Sequence, residues 1–277
     1  MAYCLIFPGQ GTQFPGMSAG FGLKGVVDPD LLTLMEQGPE EDLNRTVNAQ
    51  PAVLAASIAL WRASGLDAAA MVMGHSLGEY TALVASGALT LADGIRLVAQ
   101  RGAFMEASEP GSMAAVMGLS AEDLTQALAR IRDVWIANLN GSGQVVISGR
   151  KDSMQEALAA LKARKAKVVP LKVSVASHCP LMAKASAALA GYLTGVNVQA
   201  PRCTVVFNAT ARPETDPQRI KGLLADQLVS PVRWAESVAY TLSQGITHFI
   251  EIGPKSVLAG MVKRLAPDAR VEMRTVI

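Results

Sequence analysis

The string Gly74-His75-Ser76-Leu77-Gly78 sets a serine between two glycines, just after the apolar run Met71-Val72-Met73 and just before Glu79-Tyr80, which can open a helix. A strand that turns sharply into a helix thrusts its central side chain clear of the backbone, and flanking glycines leave room for the turn. The string therefore predicts a nucleophile elbow with Ser76 as the attacking group. The helix behind it starts with unpaired N–H groups at the positive end of its dipole, which places the N–H of Leu77 to face a developing oxyanion. A second Gly-rich loop, Pro8-Gly9-Gln10-Gly11, follows the first apolar run, Tyr3 to Phe7. Beyond the carboxyl end of a strand such a loop either offers another N–H to the same oxygen or is an ordinary tight turn. The elbow alone serves a hydrolase and a transferase equally.

A serine nucleophile needs a base, and the chain has three histidines. His75 sits inside the elbow, where it cannot readily turn back on Ser76, and His248 opens an apolar run that reads as a buried strand. His178 follows the strand-like Val173 to Ala176 and precedes Pro180, which suits a first helical position, so it occupies a loop at a strand end and is the best base. About a hundred residues follow it, whereas an α/β-hydrolase histidine comes late, after the acid. Arg101 lies at the edge of the helical stripe Leu91, Ile95, Val98, Gly102 and Met105. Partly desolvated there, a guanidinium would take a planar anion through two parallel hydrogen bonds; alternatively it snorkels to water or pairs with Glu106, which the pattern alone favours slightly.

Short apolar runs (Tyr3 to Phe7, Ala70 to Met73, Thr204 to Asn208, His248 to Ile252) alternate with helical stretches (Pro51 to Ser64, Leu91 to Met105, Val232 to Ser243), the pattern of an α/β protein with a parallel sheet. Residues 111–174 have another grammar. Strand Met113 to Gly118, helix Ala121 to Ile131, strand Val134 to Asn138, strand Gln144 to Ser148, helix Lys151 to Lys165 and strand Val168 to Val173 give β-α-β-β-α-β, a ferredoxin-like order, with Ser120 and Asp123 capping the first helix and Asn140 to Gly143 turning between the middle strands. This predicts a small inserted subdomain, with the large domain built from residues 1–110 and 175–277.

Half of the 277 residues are hydrophobic and 17% charged, which predicts a sheet covered by helices and argues against disorder. No apolar run approaches the roughly 20 residues that span a bilayer, and Met1 to Phe7 runs into Pro8-Gly9 with no basic region before it, so a cytoplasmic protein without a signal peptide is expected. Cys4, Cys179 and Cys203 lack metal-ligand spacing and are expected to be reduced. A net charge of +2 gives no case for nucleic acid, and the cations between Lys162 and Lys167 read as a solvated helix face.

Phe7-Pro8-Gly9-Gln10-Gly11-Thr12-Gln13 together with Gly74-His75-Ser76-Leu77-Gly78-Glu79-Tyr80 resembles the malonyl-CoA:acyl carrier protein transacylases and the acyltransferase domains of polyketide synthases. The likeness extends through Gln50-Pro51, Arg101-Gly102, Gln144 to Gly149, Ser177-His178-Cys179-Pro180, Ser230 to Trp234 and Glu251 to Pro254. It implies an α/β-hydrolase-like large domain and transfer of malonyl from malonyl-CoA to the phosphopantetheine thiol of an acyl carrier protein, with no metal or bound cofactor. It further implies Ser76 as nucleophile, His178 as base, and oxyanion donors at Gln10 and Leu77. Gln227 would match a glutamine that helps to orient the histidine, held by backbone carbonyl in this family instead of by an Asp, and Arg101 would match the arginine that grips the malonyl carboxylate. Met105, Asn140 and Ser177 would contribute to the acyl pocket, although methylmalonyl-selecting polyketide domains also carry serine before the histidine.

Two departures stand out: the segment between Gln13 and Gln37 is shorter than in most relatives by about a helix, and Asn140-Gly141-Ser142-Gly143 replaces the more usual Asn-Ser-Pro-x. The first is expected to alter the entrance or carrier docking, the second to loosen the pocket. A monomer is expected. The competing readings are a trans-acting polyketide acyltransferase, a serine thioesterase or lipase, and a silent carrier-binding subunit.

Overall fold

The structure is a computed structural model that describes residues 2–66, 69–141, 143–171, 173 and 175–276. The expected turn residue Ser142 and the strand-end residue Ser174 lie outside the described residues, as does Lys172 of the last expected subdomain strand. In chain order the elements are β1 (Cys4–Phe7), α1 (Pro29–Gln37), α2 (Glu40–Leu43), α3 (Thr46–Ala63), β2 (Met71–Gly74), α4 (Gly78–Ala85), α5 (Leu91–Glu106), β3 (Gly111–Met117), α6 (Ala121–Leu128), β4 (Val134–Gly141), β5 (Gln144–Arg150), α7 (Lys151–Ala163) and β6 (Lys167–Pro170). A 3₁₀ turn at Pro180–Met182 leads into α8 (Ala183–Leu193), β7 (Thr204–Phe207), β8 (Arg212–Pro213), α9 (Pro217–Asp226), α10 (Trp234–Ser243), β9 (His248–Ile252), α11 (Leu258–Leu265) and β10 (Arg270–Arg274).

Among the described residues the larger sheet runs β10-β9-β1-β2-β7-β8, parallel except for β8 against β7. Its inner strands β9, β1, β2 and β7 are buried on both faces, so alternate residues feed two cores. Leu5, Phe7, Val72, Val205 and Ile250 pack with Leu54, Leu83, Leu97 and Leu189; Cys4, Ile6, Met73, Val206 and Phe249 pack with Trp234, Val238 and Val262. The four strands expected in this sheet are present to within a residue. The edge strands β8 and β10 fall outside the expected set, and among the described residues the strand-like run before His178 forms only an isolated bridge between Val175 and Pro110.

The smaller sheet is antiparallel in the order β4-β5-β3-β6. One face is covered by α6 and α7 through Leu124, Met154 and Leu161. The other presents Met113, Ala115, Ala137 and Val146 toward the larger sheet, and Met113 reaches the cavity described below. The two sheets are sewn together at Val232, whose N–H donates to Ala137 O and whose carbonyl accepts from Leu139 N–H, both at 2.8 Å. This bond is why the helix expected from Val232 begins instead at Trp234.

A second boundary also moved for a tertiary reason. The helix expected from Pro51 begins at Thr46 and carries Pro51 inside it. The Glu106 carboxylate, from the end of α5, accepts the Val47 N–H at 3.0 Å and so supplies a distant cap where no local side chain does. The short segment before α1 and α1 itself are packed: Met17, Leu23 and Val27, then Leu31 and Met35, bury themselves against Ala52, Ala55 and Ala56 of α3.

Candidate active site

Ser76 projects from the turn between β2 and α4 with φ of +52°, in the left-handed region that costs a non-glycine residue about 1–3 kcal/mol. The neighbouring glycines are fixed by space. A Cβ on Gly74 would stand 1.9 Å from the Gly78 carbonyl carbon, and one on Gly78 would stand 2.0 Å from Phe7 O. The elbow is thus wedged against the end of β1, where the His75 N–H also donates to Phe7 O at 3.0 Å.

The end of the sheet brings the expected groups together around a cavity of about 120 Å³, lined by Gln10, Ser76, Leu77, Arg101, Met105 and His178, with Ser177 and Asn138 also on its wall. Ser76 Oγ lies 2.7 Å from His178 Nε2. Nδ1 of the same ring lies 2.8 Å from the main-chain oxygen of Gln227, which can only accept, so Nδ1 carries the proton and Nε2 is left to accept from serine. His178 is 3% exposed. Burial, with the Arg101 charge second, holds its pKa down at about 3, so it is a neutral base across the physiological range. Gln10 and Leu77 both reach the cavity, and among the described residues neither N–H bonds within the chain.

Arg101 is not the exposed side chain that its pattern slightly favours. It is 1% exposed, and Glu106 is occupied by Arg45 and by the start of α3. Arg101 Nη1 donates to Gln50 Oε1 and Nη2 to Gln227 Oε1, each at 2.9 Å, while Nη2 also stands 3.5 Å from Ser76 Oγ. The guanidinium lies 5.2 Å from the centre of the Tyr80 ring, and among the described residues its Nε–H has no partner. Among the described residues no carboxylate forms an ion pair with it. A buried cation held by neutral oxygens and an aromatic face is set to take an anion from outside.

One placement corrects the sequence reading. Asn140 is not among the residues that line the cavity: its Oδ1 lies 3.0 Å from His75 Nε2, and Asn138, two residues back on the same face of β4, takes the wall position. Gln227 orients His178 through its main chain, while its carboxamide is engaged elsewhere, donating to Ser76 O at 3.0 Å as well as accepting from Arg101. Sequence reasoning missed Asn208 altogether, read Glu79 only as a helix start and Gln50 only as part of a matching string. The one available signal was position, since Asn208 ends a strand in the layer whose ends carry sites.

Glu79 is 1% exposed, accepts from the Asn208 N–H at 2.5 Å, and burial pushes its pKa up to about 8. The folded state therefore keeps a proton that the unfolded chain loses above about 4.3, so this group costs stability progressively as pH rises from there to about 8. Glu79→Gln, neutral at every pH and still an acceptor, is expected to melt roughly 2–6 °C higher than the unaltered chain at pH 8.5 and to show a clearly smaller gain at pH 5. Equal gains at both pH values would overturn this account.

Comparison with known proteins agrees with this geometry. The acyl transferase domain family matches residues 22–276. The malonyl CoA-acyl carrier protein transacylase of Escherichia coli is 41% identical, with 95% of this chain and 92% of that protein covered. The chain belongs to the malonyl-CoA:acyl carrier protein transacylase family. An acyl carrier protein S-malonyltransferase from Vibrio cholerae superimposes with a TM-score of 0.93 at 39% identity, covering 100% of this chain and 98% of that one. A malonyl-transacylase solved in complex with a type II polyketide synthase acyl carrier protein gives 0.92 at 38%, covering 100% and 96%. The E. coli alignment runs over 285 positions against 277 residues here, so that transacylase carries residues this chain lacks. Among the described residues no transacylase helix is long and apolar enough to cross a membrane, and no cluster of three or more His, Cys, Asp or Glu could hold a metal.

Proposed function

We propose that this chain moves a malonyl group from malonyl-CoA to the phosphopantetheine thiol of an acyl carrier protein through a malonyl ester on Ser76, supplying fatty-acid synthesis. The observation that carries this reading is one contact set: Ser76 Oγ is 2.7 Å from a neutral, buried imidazole and 3.5 Å from a buried guanidinium with no carboxylate partner. A thioesterase or lipase for uncharged acyl groups has no use for that cation.

In the first half-reaction His178 Nε2 takes the Ser76 proton as Oγ attacks the thioester carbon, and the N–H groups of Gln10 and Leu77 receive the charge on the carbonyl oxygen. The C–S bond then breaks, His178 returns its proton to the coenzyme A thiolate, and malonyl stays on Ser76. In the second half the carrier's thiol gives its proton to His178, attacks the ester, and Ser76 Oγ leaves with that proton. Arg101 grips the free carboxylate throughout, using N–H groups that Gln50 and Gln227 do not occupy; Met105 and Ser177 bound the acyl pocket.

Within this reading residues 1–110 and 175–277 act as an α/β-hydrolase-like catalytic domain and residues 111–174 as a ferredoxin-like subdomain that closes the pocket through Met113 and Asn138. The enzyme works as a cytoplasmic monomer without a bound cofactor. The polyketide complex among similar structures favours a second reading, a trans-acting acyltransferase with the same chemistry and another carrier. Radiolabelled malonyl-CoA offered with holo carriers of both kinds tests the pair. Faster transfer to the fatty-acid carrier is expected, transfer to the polyketide carrier alone would favour the second reading, and hydrolysis outpacing transfer to both would overturn them together.

A further inference from the structure

Asn208, at the carboxyl end of β7 and 1% exposed, spends every polar group on one task. Its Oδ1 accepts the Ser76 N–H and its Nδ2 donates to Gly74 O, both at 2.7 Å, so one carboxamide grips the peptides on either side of His75. Its own N–H donates to Glu79 Oε2 in the first turn of α4, and its carbonyl accepts from the Arg233 N–H at 3.1 Å. Ser76 lies in the left-handed region, where a residue bearing a Cβ is strained. The local bonds from Gly78 N–H to His75 O and from Glu79 N–H to Ser76 O close the turn, and the Asn208 carboxamide adds the hold on the Ser76 N–H. The carboxamide also occupies the Ser76 N–H, which leaves the Leu77 N–H as the elbow's donor to an oxyanion.

We propose that Asn208 is a positioning residue for the nucleophile: anchored by Glu79, its carboxamide clamps the elbow in the conformation from which Ser76 Oγ reaches His178. The proposal rests on the acyl-transfer reading for its consequence, but not for its test. A fluorophosphonate probe reports the nucleophile alone, because Oγ bonds to phosphorus, fluoride leaves, and His178 accepts the serine proton.

Asn208→Ala removes both contacts, and a displacement of this kind is expected to slow Ser76 labelling and single-turnover malonylation about 100-fold, with KM for malonyl-CoA changed by less than about threefold. Asn208→Asp gives a sharper readout. The protonated acid keeps a donor for Gly74 O and an acceptor for the Ser76 N–H, whereas the ionised form turns an acceptor toward Gly74 O. Its labelling rate, relative to the unaltered chain at each pH, is therefore expected to rise at least about tenfold from pH 8 to pH 5.5, a window in which His178 stays neutral.

Parental labelling by Asn208→Ala, or an Asn208→Asp profile that tracks the unaltered chain at every pH, would overturn the proposal. Should Asn208→Ala fail to fold, the Asp profile decides. An unaltered chain that takes the probe but never malonyl would sink the acyl-transfer reading and leave the clamp to be judged by labelling.

Discussion

Ser76→Ala is expected to abolish the malonyl adduct seen by intact-protein mass spectrometry and to lower transfer to the carrier by about 10⁵-fold or more, the scale on which serine enzymes fail when the nucleophile is removed. The loss should be confined to chemistry. Ser76 Oγ sits at the cavity wall and among the described residues bonds only His178 and, distantly, Arg101, while its backbone is held by Asn208 and Gln227. The variant should therefore fold and still bind malonyl-CoA. A persistent adduct, or transfer within about tenfold of the unaltered chain, would remove the ping-pong mechanism.

Arg101→Ala is the second large effect, and it should be selective. Losing the buried partner of a desolvated carboxylate costs about 2–5 kcal/mol, so kcat/KM for malonyl-CoA is expected to fall about 30- to 5,000-fold, while acetyl-CoA, which has no carboxylate, loses little. A second consequence follows from the second-largest cause of the depressed His178 pKa, which is the Arg101 charge. Without that charge the imidazole is easier to protonate, so the acid limb of the acylation profile should move up from about pH 3 toward the ordinary histidine range. Unchanged malonyl preference, or an acid limb that stays in place, would refute the corresponding half of the argument.

On the proposed mechanism the same coupling would link selectivity to reactivity. A malonyl carboxylate bound at Arg101 would neutralise the charge that makes a protonated His178 unfavourable, and on that mechanism His178 must become protonated while Oγ attacks. An acyl group lacking a carboxylate leaves that repulsion in force.

Legibility followed the range of the interactions. The inner parallel strands read correctly because burial on both faces demands short apolar runs in any context, as in Cys4–Phe7, whereas the exposed edge strand β10, Arg270–Arg274, carries no such run. The helix starts near residues 46 and 234 did not, because each is set by a distant partner: Glu106 caps the first, and the pairing of Val232 with β4 delays the second. Arg101 shows the same limit within the site. Its place on the helix edge was visible, but its burial depends on Gln50, Tyr80 and Gln227, which reach it from elsewhere in the chain.

By itself the sequence marked the elbow, because a serine between two glycines after an apolar run is the pattern of a sharp strand-to-helix turn. The clash that forbids a side chain at Gly74 lies within that turn, against Gly78, while the one at Gly78 is with Phe7 O of the neighbouring strand. Through its resemblance it also marked His178 and Arg101. The tertiary structure alone decided how those groups are held. Gln227 holds the imidazole by its main-chain oxygen, as the resemblance implies, but only the fold turns its carboxamide to Arg101 and Ser76 O. Asn208 clamps the serine from 132 residues away, and Asn140 turns to His75 instead of the pocket. Hydrogen bonds over such separations depend on where the sheet sets the ends of its strands, and burial, a property of the whole fold, makes His178 a neutral base and Arg101 a cation without a carboxylate partner.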